Sequence, residues 1–202
     1  MNNEVIKPTE QNPQGYGPSK PEILDLAHRA EIPVKETVWK DGTKVIAFQT
    51  RLEDFYFMGI ENKYDENTDF GDFWGNFFDK GGYDPIDPYA IDPNCINVWL
   101  NRSADEKIYY QGKMAREDAI VPEGYTMKKF PGGEYLVVTT EWMATYEETM
   151  KHIRFEYFES MDAPDGYVKC TEQELGVWLL ERWGANTGEG YRYEFWVPLK
   201  RK

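Results

Sequence analysis

The stretch GVWLLERWG, residues 176–184, decides how this chain is read. With the period of two that a strand imposes, Val177, Leu179, Glu181 and Trp183 share one face, while Trp178, Leu180 and Arg182 share the other. An acid therefore stands on an otherwise apolar face. The segment also has an echo upstream, because NVWLNR at 97–102 contains the same Val-Trp-Leu triplet.

The echo extends to the elements around it. From Val45, VIAFQTRLEDFYFMGIENKY is rich in β-branched and aromatic residues and predicts one long strand. DFGDFWGNFFDKGG then sets Phe70, Phe73, Trp74, Phe77 and Phe78 at helical spacing and closes on glycines, which predicts an amphipathic helix. INVWLNR and KIYYQGKMA read as two strands. The second half repeats the order: GYTMKKFPGGEYLVVTT is a strand with a Pro-Gly-Gly break, and TYEETMKHIRFEYFESM is a helix with Met150, Ile153, Tyr157 and Met161 on one stripe. LGVWLLERW and YRYEFWVPLK then read as two strands joined through GANTGEG. The expected fold is α+β: a duplicated βαββ unit with pseudo-twofold symmetry, its halves at 45–116 and 125–200. Ahead of this 45–202 domain, residues 1–44 are expected to form a flexible leader, rich in Asn, Gln, Gly and Pro, and a short docking helix over PEILDLAHRAEIP.

Two such units place a helix on one face of each sheet, and the other faces curve together around a central ligand cleft. Glu181 is expected to look into that cleft. Between Leu179 and Trp183 its carboxylate would be desolvated and its pKa raised, unless a cationic or hydrogen-bonding ligand pairs with it. The same acid could instead serve the fold alone, by bonding a buried tyrosine or pairing with an arginine.

Composition narrows the partners. The formal charge is -13, which repels phosphate backbones and argues against direct nucleic-acid binding while favouring organic cations. Aromatics make up 16% of the chain, with seven Trp and 14 Tyr, so either an aromatic-rich β core or an aromatic-lined binding surface is expected. No apolar run is long enough to span a membrane, and the first residues hold no apolar signal region, so no membrane partner and a cytoplasmic location are expected. His28 and His152 stand apart, without Cys or Asp at ligand spacing. The three Asp-Pro pairs at 84–93 lack the EF-hand pattern, and NTGEGY lies between strands rather than before a helix. Neither a metal nor another cofactor is expected.

Five motifs fall in a familiar order: DFWGNFF, IYYQGKMA, VPEGYTMKKFPGGEYLVV, LLERW and EFWVPLK. Over residues 45–200 the chain resembles the GyrI-like small-molecule-binding domain, also called the AraC-type effector-binding domain. The resemblance implies a cleft that takes drug-like, often cationic and aromatic molecules. Glu181 matches the acid of that cleft, Tyr110 the tyrosine before the glycine, Trp74 the helix aromatic and Trp196 the aromatic ahead of Val-Pro. Trp183 and Tyr193 are expected beside them. SMDAPDGYVKCTEQELG departs from the family's pattern, and the N-terminal segment does not look like the helix-turn-helix of its regulators. The expected function is therefore binding of a small aromatic or cationic molecule by a stand-alone protein. The resemblance leaves two alternatives: hydrolysis of electrophilic toxins, with Glu181 as general base and Tyr110 as proton donor, or a protein-interaction module that protects gyrase.

Overall fold

Where the sequence predicts one long strand from Val45, the chain makes two, β2 (Lys44–Leu52) and β3 (Phe55–Tyr64). The kink between them is tied down from the other half of the chain: the Asp54 carboxylate accepts the Gly132 N–H at 2.8 Å. Gly132 lies in the Pro-Gly-Gly break that separates β6 (Thr126–Phe130) from β7 (Gly133–Thr140). It approaches so closely that a Cβ there would sit 2.4 Å from the Glu53 carbonyl carbon, so only glycine fits. The two kinks face one another, with Leu52 opposite Gly133 and Phe55 opposite Phe130, and the antiparallel register runs unbroken through both.

The computed structural model describes residues 31–92, 95–100, 107–170, 177–186 and 190–202. The expected leader and all but the end of the docking helix fall outside them. Residues Ile32–Val38, expected to belong to the segment before the domain, form an edge strand, β1, antiparallel to β2.

The helix predicted around Trp74 is α1 (Phe70–Asp79). The Asp69 side chain accepts the Gly71 N–H at its start, and Gly81 and Gly82 follow its end with positive φ. The single helix predicted around Ile153 is two short ones, α2 (Tyr146–Lys151) and α3 (Phe155–Glu159). Tertiary contacts with the turn ahead of β2 override the local pattern: His152 Nδ1 meets Thr43 Oγ1 at 3.1 Å, and Arg154 pairs with Asp41 at 3.2 Å.

The remaining strands are β4 (Cys95–Leu100), β5 (Lys107–Ala115), β8 (Tyr167–Lys169), β9 (Val177–Asn186) and β10 (Tyr191–Arg201). The strand order is β1-β2-β7-β10-β9-β4-β5-β3-β6, with the short β8 added to β10. The duplication is visible in this order. β5 lies between β3 and β4, β10 lies between β7 and β9, and the halves join antiparallel through β4 and β9. The outermost strands are exchanged relative to the sequence reading: β2 pairs with β7 of the second half, and β6 pairs with β3 of the first.

Because β6 runs on into β7, the two ends of the sheet meet through the bent ribbon, and the sheet curls round a core. That core holds Phe48, Leu52, Phe57, Tyr110, Leu180 and Trp196 among others. Each such side chain contributes roughly 1.5–3 kcal/mol by leaving water. The helices lie on the opposite face, where a second cluster unites Leu179, Tyr193 and Phe195 with Tyr157 and Phe158 of α3. A third packs Met58, Ile60 and Ile86 around Phe77 of α1. The face curled inward is thus filled with side chains, and the polar residues of interest lie on the helix-bearing face.

Candidate functional site

The site begins at the central strand pair. Asn97 of β4 stands directly opposite Glu181 of β9, and Gln111 of β5 stands directly opposite Asn97. Alternation puts all three on the face that carries Trp99, Tyr109 and Leu179. Glu181 is 3% exposed, Asn97 and Gln111 0%. A row of buried polar groups therefore crosses the middle of the sheet, where the two halves meet.

Aromatic rings flank this row on the same face of the sheet. Trp99 lies 4.6 Å from Tyr109 between ring centroids. Phe70 of α1 approaches Trp99 at 5.4 Å, and Phe155 of α3 at 5.8 Å. Phe155 also reaches Phe195 at 5.6 Å, and Phe195 reaches Tyr193 at 5.0 Å. The break between α2 and α3 makes Phe155 the first residue of a new helix. Phe155 remains 38% exposed, the outermost of these rings.

The electrostatics follow from burial. Loss of water drives the Glu181 carboxyl up to about 7, although hydrogen bonds from Trp99, Tyr193 and Asn97 pull the other way. The Asn97 amide donates to Glu181 Oε2 at a long 3.5 Å. Burial first, and the Glu181 charge second, push the Tyr109 and Tyr193 hydroxyls upward in turn. Among the described residues, no Lys, Arg or His pairs with Glu181. The arrangement is a buried carboxyl poised between its neutral and its charged form, with aromatic side chains for neighbours.

Its neighbour Arg182 belongs to the opposite, inward face. Arg182 grips Asp92 with two nitrogens, at 2.9 and 3.3 Å, and reaches Glu194 at 3.3 Å. Against the cost of burial, these two carboxylates hold its guanidinium above the usual range. Glu194 also accepts from Arg192 at 2.8 Å and from the Trp196 indole at 2.9 Å. Arg192 in turn lies over the Trp142 ring at 4.3 Å. This network joins β9, β10 and the loop before β4, and its charges are mutually satisfied.

The six residues singled out in the sequence thus separate. Tyr193 meets Glu181. Tyr110 and Trp196 lie in the core on the inward face; the Tyr110 hydroxyl is held by the carbonyl oxygens of Thr126 at 2.7 Å and Phe57 at 3.2 Å. Trp74 packs against Phe77 and Phe78 of its own helix, at 5.9 and 6.0 Å. The backbone of Trp183 lies opposite Cys95 in the sheet, and its side chain is outside the described residues. The expectation that the helices and the cleft occupy different faces is corrected: Glu181 shares its face with the helices, because the inward face is consumed by the curl of the sheet. The residues beside Glu181 that sequence reading missed are Asn97, Trp99, Tyr109 and Gln111. Asn97 and Gln111 were discernible by the test that found Glu181, since each is a polar residue interrupting an apolar run, in INVWL and in YYQGK.

The family model described as integron-associated effector binding protein matches residues 36–199. Among solved structures the chain is similar to an integron cassette protein from the mobile metagenome of Vibrio cholerae, at 11% identity and a TM-score of 0.49, over 76% of this chain and 95% of that one. It is similar to SAV2435 bound to tetraphenylphosphonium at 14% identity and a TM-score of 0.48, over 75% and 92%. A third likeness is to EcmrR in a complex with DNA, at 11% identity and a TM-score of 0.47, over 78% of this chain and 58% of that one. A search of curated proteins finds no match.

Proposed function

The chain belongs to the integron-associated effector-binding proteins, a GyrI-like family, and from that premise we propose that its effector is a small aromatic cation, bound against Glu181 on the helix-bearing face. One observation carries this reading. A carboxyl only 3% exposed lies beside Trp99, Tyr193 and Asn97, with Phe70 and Phe155 packed against Trp99, and among the described residues it has hydrogen-bond donors but no basic partner. A buried carboxylate is costly unless a cation pairs with it, and π faces attract that same cation. The ligand supplies the missing charge and packs its own rings against Trp99 and Tyr109. Entry displaces Phe155, the outermost of the protein's rings here.

The pairing is worth about 3 kcal/mol for charges about 5 Å apart at an effective dielectric constant of about 20, or roughly 100-fold in affinity. Tetraphenylphosphonium and the neutral triphenylphosphine oxide, titrated by tryptophan fluorescence, make the test. Glu181→Gln should weaken the cation strongly and leave the neutral compound nearly unchanged. Equal weakening of both would show that charge pairing is not the basis of binding.

Hydrolysis by Glu181 as general base would draw on the same raised carboxyl. The tyrosine expected to assist it, Tyr110, is engaged by carbonyl oxygens on the far face. Binding without turnover is the reading that fits this geometry. The charge of -13 further argues that the chain by itself does not hold DNA; a shift of duplex DNA by micromolar protein at physiological salt would overturn that.

A further inference from the structure

Beside Glu181 and Asn97 lies a second buried group, on β5. Gln111 is 0% exposed, and its Oε1 accepts from Asn62 Nδ2 at 2.9 Å. Its Nε2 is equally buried and finds no acceptor among the described residues. A buried N–H without a partner costs free energy comparable to a lost hydrogen bond, and native structures rarely leave one so. Gln111, Asn97 and Glu181 stand directly opposite one another on three neighbouring strands. Two strand spacings separate the first from the last, about 10 Å between Cα atoms. The polar row thus has an acid at one end and an unused hydrogen-bond donor at the other.

We propose that Gln111 is a specificity-determining residue of this site, and that the effector class is an aromatic cation carrying an uncharged hydrogen-bond acceptor, such as a carboxamide or ketone, which receives the Gln111 Nε2–H. The proposal rests on the reading that a cation binds at Glu181, and it adds the second anchor point. A ligand with both groups spans the row from β9 to β5 and satisfies both of its unmet ends. An aromatic cation lacking the acceptor satisfies only one and leaves the Gln111 donor as it is in the free protein. Asn62 has a positioning role: by donating to Oε1 it fixes which end of the Gln111 amide is held and which is offered.

The test uses a matched pair, tetraphenylphosphonium and (4-carbamoylphenyl)triphenylphosphonium, titrated against the full chain and its variants. The wild type should bind the carbamoyl compound about 3- to 10-fold more tightly, as one added hydrogen bond to an otherwise unpaired donor implies. Gln111→Met should erase that preference, bringing the affinities for the two compounds together. Glu181→Gln should weaken both compounds by similar factors and keep the preference. Equal affinity of the wild type for the two compounds overturns the proposal without any variant, so the test survives a Gln111→Met chain that does not fold. A preference that persists in folded Gln111→Met overturns it also. In both cases a Glu181-dependent affinity for the parent cation leaves the cation reading standing, whereas no binding of either compound removes both.

Discussion

Glu181→Gln should make the protein more stable at neutral and alkaline pH, and the gain should vanish in acid. In the folded chain burial holds the Glu181 carboxyl near 7, against an ordinary value of 4.5. A group whose folded pKa is raised contributes stability that is fully present below the unfolded pKa and is lost as pH rises through the folded one. The wild type therefore forfeits stability between about pH 4.5 and about pH 7, and the loss is constant above. At about 1.4 kcal/mol per pH unit the difference amounts to about 3 kcal/mol. Glutamine keeps the shape of the protonated acid, with one acceptor and a donor in place of the O–H, and cannot ionise. Urea denaturation of both proteins from about pH 4 to about pH 8, read as the difference between their unfolding free energies, isolates this group from the many other carboxylates. The variant should gain on the wild type by about 3 kcal/mol across that range. A difference that stays flat with pH, or one that moves against the variant, would refute the view that Glu181 is a desolvated, uncompensated acid.

The affinity for tetraphenylphosphonium should rise about tenfold per unit from about pH 5 to about pH 7 and level off above, because the proton and the cation compete for one carboxylate; isothermal titration at several pH values reads this, and Glu181→Gln should flatten it. Arg182→Met should cost about 3–5 kcal/mol in urea denaturation, since it removes the guanidinium that the buried carboxylates of Asp92 and Glu194 share. Gly112→Ala should lower the melting temperature sharply, by a loss of more than about 2 kcal/mol, because a Cβ there would lie 2.0 Å from the Met58 carbonyl oxygen in the neighbouring strand. A melting temperature unchanged by that substitution would show that β3 and β5 are not held at this register.

What residues declare through period and spacing was legible in the chain itself. The alternation of VWLLERW fixed a strand and placed an acid on an apolar face, the spacing from Phe70 to Phe77 fixed α1, and the recurrence of strand, helix, strand, strand fixed the duplication. Glu181 stood out for a local reason: its neighbours two residues away are apolar, so its burial could be inferred without knowing what covers it. The kink at Asp54, the exchange of β2 and β6 between halves, and the division of α2 from α3 were not legible. Each depends on a contact with a distant residue, Gly132 for the first two and Thr43 and Asp41 for the third. The composition of the site was decided in the same way. Alternation tells which residues of one strand share a face, and it is silent about which face of the sheet meets the helices. Once the sheet curled on the side of Tyr110 and Trp196, those two rings were committed to the core. The opposite parity, with Asn97, Trp99, Tyr109, Gln111 and Tyr193, was gathered around Glu181. A shift of one residue in β5 separates Tyr109 from Tyr110, and only the pairing of strands from both halves chooses between them.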